Sequence, residues 1–141
     1  MNIFLFSFSF AQFDWQGDHT YFDFVIEDKN DCVDFSAGNY ILDVSILSNC
    51  GDKALSVGEG SVLDLKFLNA SNSQMGIASK DSSIVNIDNL TINNVLTCVA
   101  AYKKKQEFNG GIITIKNSLN CDNFKEQQKV DKFSTINLKI N

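Results

Sequence analysis

The chain has 141 residues, 44% of them hydrophobic, and a formal net charge of −5. This length is typical of one domain, and the apolar content suffices for a core, which excludes a wholly disordered chain. The negative charge argues against nucleic acid or an anionic membrane surface as the main partner. No apolar run is long enough to predict membrane insertion.

Residues 1–12 permit two interpretations. The apolar run from Ile3 to Phe10, followed by Ala11 and Gln12, looks like the end of a secretory signal, although no basic residue precedes Lys29. Every second residue from Phe4 to Phe10 is Phe, which equally predicts a first strand. We therefore treat residues 1–12 separately, as a signal-like segment or a first strand, and assign residues 13–141 to the repeat.

Apolar residues recur in one register with a period of about 22 residues. Each repeat unit begins with a short strand whose first inward residues are Val33, Leu55, Ile77 and Val99, spaced 22 residues apart. Two residues later, on the same strand face, come Phe35, Val57, Ser79 and Ala101. Phe13 and Trp15 fit an earlier unit.

A second alternating strand follows in each unit. Its predicted inward residues, unit by unit, are Phe22, Phe24 and Ile26; Leu42, Val44 and Ile46; Leu63, Leu65 and Phe67; Val85 and Ile87; and Ile113 and Ile115. The last step is about six residues longer than the others, and the polar segment 103–110 accounts for the surplus. Turn-forming Gly, Ser and Asn residues separate the strands.

Two short strands per unit without a helical period predict an all-β, single-stranded right-handed parallel β-helix, a solenoid with rungs of about 22 residues. Equivalent positions then stack about 4.8 Å apart, and successive parallel crossovers coil right-handed. Because a rung is stabilised mainly by its neighbours, both ends of the stack need a cap. The last strand, with Ile136, Leu138 and Ile140, has no cap, so we expect a fragment of a longer helix. Its partners would be neighbouring rungs or domains.

The four cysteines are predicted to be free thiols. Cys32 and Cys98 fall in one column, three rungs and about 14 Å apart, and Cys50 and Cys121 have a similar separation. A disulfide needs Cα atoms within about 7 Å, so the register argues against internal disulfides. The absence of a CxxC pair and the presence of a single histidine, His19, argue against zinc.

Asp31, Asp34 and Asp52 form a candidate acidic cluster. Carboxylates in such a group could hold calcium or act in acid–base chemistry, whereas isolated Asp residues on a rung surface solvate it and begin turns. His19 lies in a predicted turn with no motif around it. The sequence therefore predicts no catalytic residue, metal or cofactor.

The best candidate ligand site is a ridge of stacked turns that includes the inserted segment. The ridge residues are Glu59, Lys80, Asp81, Tyr102, Lys103, Lys104, Lys105, Glu107 and Phe108. Insertions in solenoids map to one face, which is often the binding face. The three lysines suggest an anion or acidic glycan, and the alternative is a solvated loop without a ligand.

Three segments carry a family resemblance: residues 51–59, 76–83 and 101–108. They resemble rungs of bacterial right-handed β-helix proteins of the pectate-lyase-like superfold, some of which accompany spore-coat-protein-H (CotH) kinase-like domains. The resemblance covers roughly residues 29–117 and implies a β-helix domain of a larger, envelope-associated or surface protein. It implies no catalytic residue, and fold resemblance alone does not transfer function.

Two functions remain as expectations. The first is a non-catalytic scaffold or interaction module of a larger secreted or cell-envelope bacterial protein. The second is a carbohydrate-binding or carbohydrate-active domain of the lyase or hydrolase type, with a polysaccharide as its partner. The missing arginine and the isolated histidine favour the first, because β-helix lyases and hydrolases typically use such residues.

Overall fold

The computed structural model describes residues 5–6, 23–24 and 30–140, and in this part of the chain all regular structure is β. The strands are β1 (Leu5–Phe6), β2 (Asp23–Phe24), β3 (Val33–Ser36), β4 (Asn39–Ser48), β5 (Lys53–Gly58), β6 (Val62–Lys80), β7 (Ile84–Tyr102), β8 (Ile112–Val130) and β9 (Thr135–Leu138). Every pairing between them is parallel. About five stacked turns result, which confirms the predicted parallel β-solenoid.

The first predicted column is confirmed. Val33 pairs with Leu55, Leu55 with Ile77, and Ile77 with Val99, each on the next rung. All four side chains are at most 1% exposed. The apolar 22-residue period therefore reflects one dry column, in which each side chain covers the one below it.

The predicted register of the second strand is wrong between the first two described rungs. Leu42 pairs with Leu65 and not with Leu63, whose partner is Tyr40. The turn after the first strand is one residue shorter in this rung, since Phe35 precedes Tyr40 by five residues whereas Val57 precedes Leu63 by six. Tyr40 therefore occupies the inward position, and its ring lies 4.5 Å from that of Phe35.

Ile46, predicted to point inward, is 36% exposed, while its neighbour Leu47 is 1% exposed. The alternation of buried and exposed residues shifts by one position near Val44 and Ser45. The same shift occurs one rung later, where Leu65 and Leu68 are both buried. Strict alternation predicts one flat strand, whereas the rung must turn a corner to close.

A column of asparagines marks the next corner. Asn49, Asn72, Asn94 and Asn123 all have left-handed backbones, with φ between 52° and 59°. Asn72 donates to Oδ1 of Asn49 at 3.0 Å, and Asn94 donates to Oδ1 of Asn72 at 2.8 Å. Asparagine tolerates this conformation better than most residues and supplies both donor and acceptor, so it suits a repeated corner.

A second column, on the outer face, alternates in charge. Asp43, Lys66, Asp88 and Lys116 follow one another on successive rungs. Lys66 Nζ lies 2.6 Å from Asp43 Oδ1, and Lys116 Nζ lies 3.4 Å from Asp88 Oδ1. These pairs are solvent-exposed and weak individually, but the alternation keeps like charges from stacking directly.

The prediction of free thiols is wrong. Cys32 is bonded to Cys50 and Cys98 to Cys121, with Cα separations of 5.4 Å and 6.4 Å. The prediction used only distances along the stack, where the compared cysteines are three rungs apart. It left out pairs that face each other across the interior of the stack. Gly76, one rung below Cys98 in the same column, approaches the Ile92 side chain, and Cys121 is stacked over Ile92. These two walls therefore meet, which brings Cys98 and Cys121 together.

At the last described rung the column residues are more exposed to solvent than in the middle rungs. Leu138 is paired above Ile115, yet Leu138 is 43% exposed and Ile115 is fully buried. In the first-strand column, Gln128 takes the place above Val99. Near the other end, β1 pairs with β2, but most of residues 1–29, including Phe13, Trp15 and His19, lies outside the described residues.

Candidate functional site: the stacked turns

The predicted ridge is built on a column of left-handed turn residues. Ala37, Glu59 and Asp81 occupy equivalent turn positions, with φ of 52°, 57° and 55°. The turns are joined along the stack, since Gly60 N donates to the carbonyl oxygen of Asp81 at 2.8 Å. The short segments Gly58–Ser61 and Lys80–Ser83 each close with a further backbone bond, from Ser61 N to Gly58 O and from Ser83 N to Lys80 O.

Two carboxylates fix the inserted segment that follows Tyr102. Asp81 Oδ1 accepts from the backbone N–H groups of Lys104 and Lys105, at 2.8 Å and 2.7 Å. Asp131 Oδ2 accepts from Lys103 N at 2.8 Å. On the far side of the segment, Asn109 N donates to Ser82 Oγ at 2.8 Å. The insertion is thus held by several hydrogen bonds at both ends, while Lys104 and Glu107 remain exposed.

Asp131 has a lowered pKa. Burial raises the pKa of this carboxyl, but hydrogen bonds from Lys103 N, the Ser134 side chain and Phe133 N, together with the charge of Lys103, lower it by more. The ionised form is therefore the one that holds the start of the insertion.

A cavity of about 220 Å³ lies beneath the insertion. Eight residues line it: Asp34, Ser36, Gly58, Glu59, Lys80, Asp81, Lys104 and Lys105. Lys80 Nζ lies 3.8 Å from Asp34 Oδ1, and Lys105 forms an ion pair with Glu59. Asp81 is fully buried, and its Oδ2 has no hydrogen-bond partner. Three acidic and three basic residues therefore line one small space.

The ridge differs in one respect from the predicted surface strip. Lys80 and Asp81 are 7% and 0% exposed, so both are buried beside the cavity and do not form an outer surface. Lys103 lies over the ring of Phe133, with its Nζ 5.2 Å from the ring centroid. Tyr102, Lys103, Glu107 and Phe108 do not line the cavity.

The predicted acidic cluster divides into two parts. Asp31 and Asp52 both form ion pairs with Lys53, which is 6% exposed, and Lys53 N also donates to Asp31 Oδ1 at 3.1 Å. Asp34 instead joins the cavity through Lys80. Burial lowers the pKa of Lys53, but its hydrogen bond to Asp52 and the charge of Asp31 raise it by more.

Tyr102 connects the ridge to this ion-paired group electrostatically. Burial raises the pKa of its hydroxyl; Lys53 lowers that pKa, and Asp52 and Asp31 raise it, with a net increase. Lys53 was missing from the predicted site. The signal was present in the sequence, because Lys53 follows Asp31 by 22 residues, which is one rung.

Among the described residues, no group of three or more His, Cys, Asp or Glu side chains is arranged to hold a metal ion. In the acidic cluster, Asp31 and Asp52 are both ion-paired with Lys53. No helix in the described part of the chain is long and apolar enough to cross a membrane.

The stacked parallel rungs and their turn column define this chain as a parallel β-solenoid protein. No family model, no curated protein and no solved structure matches it.

Proposed function

We propose that the chain is a non-catalytic scaffold or interaction module of a larger secreted or envelope-associated bacterial protein. The pectate-lyase-like assignment and the association with CotH kinase-like domains, suggested by the rungs at residues 51–59, 76–83 and 101–108, belong to this proposal. Neighbouring rungs or domains of a longer chain would be its first partners.

The observation that carries the proposal is the way the insertion is held. Asp81 and Asp131 accept hydrogen bonds from three successive backbone N–H groups, from Lys103 to Lys105. A loop fixed in this way on a stack of paired strands loses little conformational entropy when a partner binds it. Lys104 and Glu107 are exposed on this loop and offer charged groups to a partner.

The two disulfides support the proposed location. Both connect buried cysteines or cysteines packed against the core, and disulfides persist in secreted, periplasmic and cell-surface proteins. Catalysis receives less support, because Asp31, Asp34 and Asp52 each lie in an ion pair with a lysine.

Hydrogen exchange tests the preorganised loop. We expect the amides of Lys104 and Lys105 to exchange slowly, at rates close to those of paired strand residues, because Asp81 accepts from both. Gln106, an exposed residue of the same loop, serves as the reference. Exchange of all three amides at the rate of an unstructured peptide would contradict the proposal.

A carbohydrate-binding function is the second candidate, and the mixed-charge cavity beneath the insertion favours it. A glycan array and a thermal-shift screen with acidic polysaccharides and calcium would separate the two. A glycan hit that is lost when Lys103, Lys104 and Lys105 are replaced by Ser, with unchanged stability, supports the second candidate. No response to any glycan or to calcium favours the first.

A further inference from the structure

The outer face of the solenoid at the first residues of β4, β6, β7 and β8 carries three regular columns. Alternate residues of these strands point into the core, and the residues between them point to solvent. The outward residues form an aliphatic, a polar and a charged column, which together we call the ladder face. The columns are Asn39, Val62, Ile84 and Ile112; Ile41, Asp64, Asn86 and Thr114; and Asp43, Lys66, Asp88 and Lys116.

Apolar side chains are exposed on the ladder face next to its charges. Ile41, Ile84 and Ile112 are each at least 38% exposed. Ile84 and Ile112 are also stacked on neighbouring rungs. Adjoining exposed apolar side chains bordered by polar residues are typical of protein–protein contacts. A partner for this face must therefore supply both apolar surface and complementary charge.

The charged column is complementary to itself when its order is reversed. Its signs alternate along the stack, and because it has an even number of members, its first and last residues differ in sign. Against a reversed copy, Asp43 lies opposite Lys116. Lys66 lies opposite Asp88 in the same arrangement. Unlike charges therefore meet at every position of the column.

A twofold axis parallel to the strands produces this arrangement. Such an axis brings two identical faces together, reverses the order of the rungs and keeps each column opposite itself. Val62 then lies opposite Ile84. Asp64 lies opposite Asn86, and these two side chains already form a hydrogen bond of 2.9 Å within one chain. A twofold axis parallel to the stack would instead place the charged column opposite the aliphatic column.

We propose that the ladder face binds the ladder face of a second copy of this chain, with the two stacks antiparallel. The inference goes beyond the scaffold proposal and does not depend on it, because the inserted segment is not part of this face. The face spans four rungs about 4.8 Å apart and five strand residues about 3.3 Å apart, or about 300 Å² per copy. A standard interface buries about 800 Å² per partner, so the dimer is weak, with a dissociation constant on the order of 0.1 mM.

Sedimentation equilibrium of the full chain between about 10 µM and about 1 mM measures this dimer, because the range includes the expected dissociation constant. Asp43→Lys places a lysine opposite Lys116 of the second copy, and Lys116→Asp places a carboxylate opposite Asp43. Each variant alone should raise the dissociation constant at least about tenfold.

An equimolar mixture of the Asp43→Lys and Lys116→Asp chains is the decisive experiment. In the mixed dimer each altered residue meets the opposite charge, so the mixture should dimerise about as tightly as the unsubstituted chain. This recovery requires residues of the first and fourth rungs to face each other, which is specific to the antiparallel arrangement. Circular dichroism of each variant checks that the fold is retained.

Ile84→Ser and Leu96→Ser form a matched pair for the apolar contribution. Ile84 lies on the ladder face, whereas Leu96 is more exposed but lies on the second half of β7, outside this face. Ile84→Ser should weaken the dimer severalfold, and Leu96→Ser should leave it unchanged.

Several results would overturn the proposed dimer. They are a monomer at every concentration, equal losses in Ile84→Ser and Leu96→Ser, and a mixture of the two charge variants that dimerises no better than either alone. A dimer that is lost in Leu138→Asp and retained in Asp43→Lys would place the contact at the last rung and not at the ladder face.

Discussion

The middle rungs and the last rung are built from the same columns but differ in burial. Val99 is fully buried, whereas Gln128 replaces an apolar residue directly above it. Ile115 is fully buried, while Leu138 in the same column is 43% exposed. The difference shows that burial in a solenoid depends on the neighbouring rung as much as on the residue itself.

The largest expected effect comes from a charge in the middle of the first-strand column. Ile77→Asp places a carboxylate between Leu55 and Val99, with no partner and no water, and should lower the free energy of unfolding by at least about 4 kcal/mol. Leu138→Asp, in the exposed last rung, should cost about 1 kcal/mol or less. Urea unfolding measures both, and similar losses would contradict the stacked column.

The disulfides come next. Replacing Cys98 and Cys121 together by Ala removes a cross-link that closes a segment of 23 residues, and should cost about 3 kcal/mol. The Cys32–Cys50 pair, which spans 18 residues, should have a similar effect. Thermal unfolding of the variants measures both. Alkylation of the denatured, unreduced protein at all four cysteines would show that neither bond forms.

Substitutions in the asparagine column should lower the free energy of unfolding by a smaller amount. Comparing alanine with glycine there separates the cost of backbone strain from the loss of hydrogen bonds. Asn72→Ala loses both ladder bonds and forces a left-handed alanine (φ 56°), for about 2 kcal/mol in total. Asn72→Gly loses only the ladder, for about 1 kcal/mol. At the outer end of the column, Asn123→Gly should cost less than Asn72→Gly, because the Asn123 side chain donates one bond, to Asn93 on the rung below it. Urea unfolding of the three variants provides the comparison.

The smallest expected effects are those of pH on stability. They have opposite signs near the last rung and in the middle rungs. The pKa of Asp131, near the last rung, is lowered, so its contribution to stability is present above the unfolded-state pKa and is lost as the pH falls through the folded-state pKa. The pKa values of Lys53 and Tyr102 are raised, so their contributions are present below the unfolded-state values and are lost as the pH rises through the folded-state values.

Thermal unfolding as a function of pH checks both directions. Asp131→Asn should reduce the loss of stability in acid, and Tyr102→Phe should reduce the loss in alkali. A direct measurement follows tyrosinate absorbance, in which the ionisation step that is lost in Tyr102→Phe should lie above the pKa of a free tyrosine. If both variants lost stability in acid and in alkali to the same extent as the unsubstituted protein, these pKa shifts would be contradicted.

Sequence reasoning predicted the column from Val33 to Val99 because an apolar residue every 22 positions is hard to reconcile with a fold that lacks stacked repeats. It failed where lengths change by one residue, as in the short turn before Tyr40, because a single deletion moves every later side chain. It also failed for Cys32 and Cys50, since periodicity describes contacts along the stack and contains no information about which walls meet across it.

The sequence placed the ridge residues on one turn column, but it did not give their burial or their partners. Glu59, Lys80, Asp81, Lys104 and Lys105 lie around one cavity, and the sequence grouped them because they follow one another on a turn column. The burial of Asp81 could not be predicted, since its carboxylate accepts from the backbone of the inserted segment, and the Lys80 side chain is buried beside Gly58 and Asp34 on earlier rungs. Asp34 was assigned to a different cluster, because its ion pair with Lys80 spans two rungs and a strand-to-turn junction.

The outer column Asp43, Lys66, Asp88 and Lys116 has a consequence for how such a stack can lengthen or shorten. Deleting the single rung 62–83 would seat Asp43 directly against Asp88, and duplicating one rung would likewise place two equal signs in contact. Removing or adding rungs in twos preserves the alternation. The charge alternation of this column therefore persists when an even number of rungs is added or removed. An odd number brings two like charges into contact, and these repel each other.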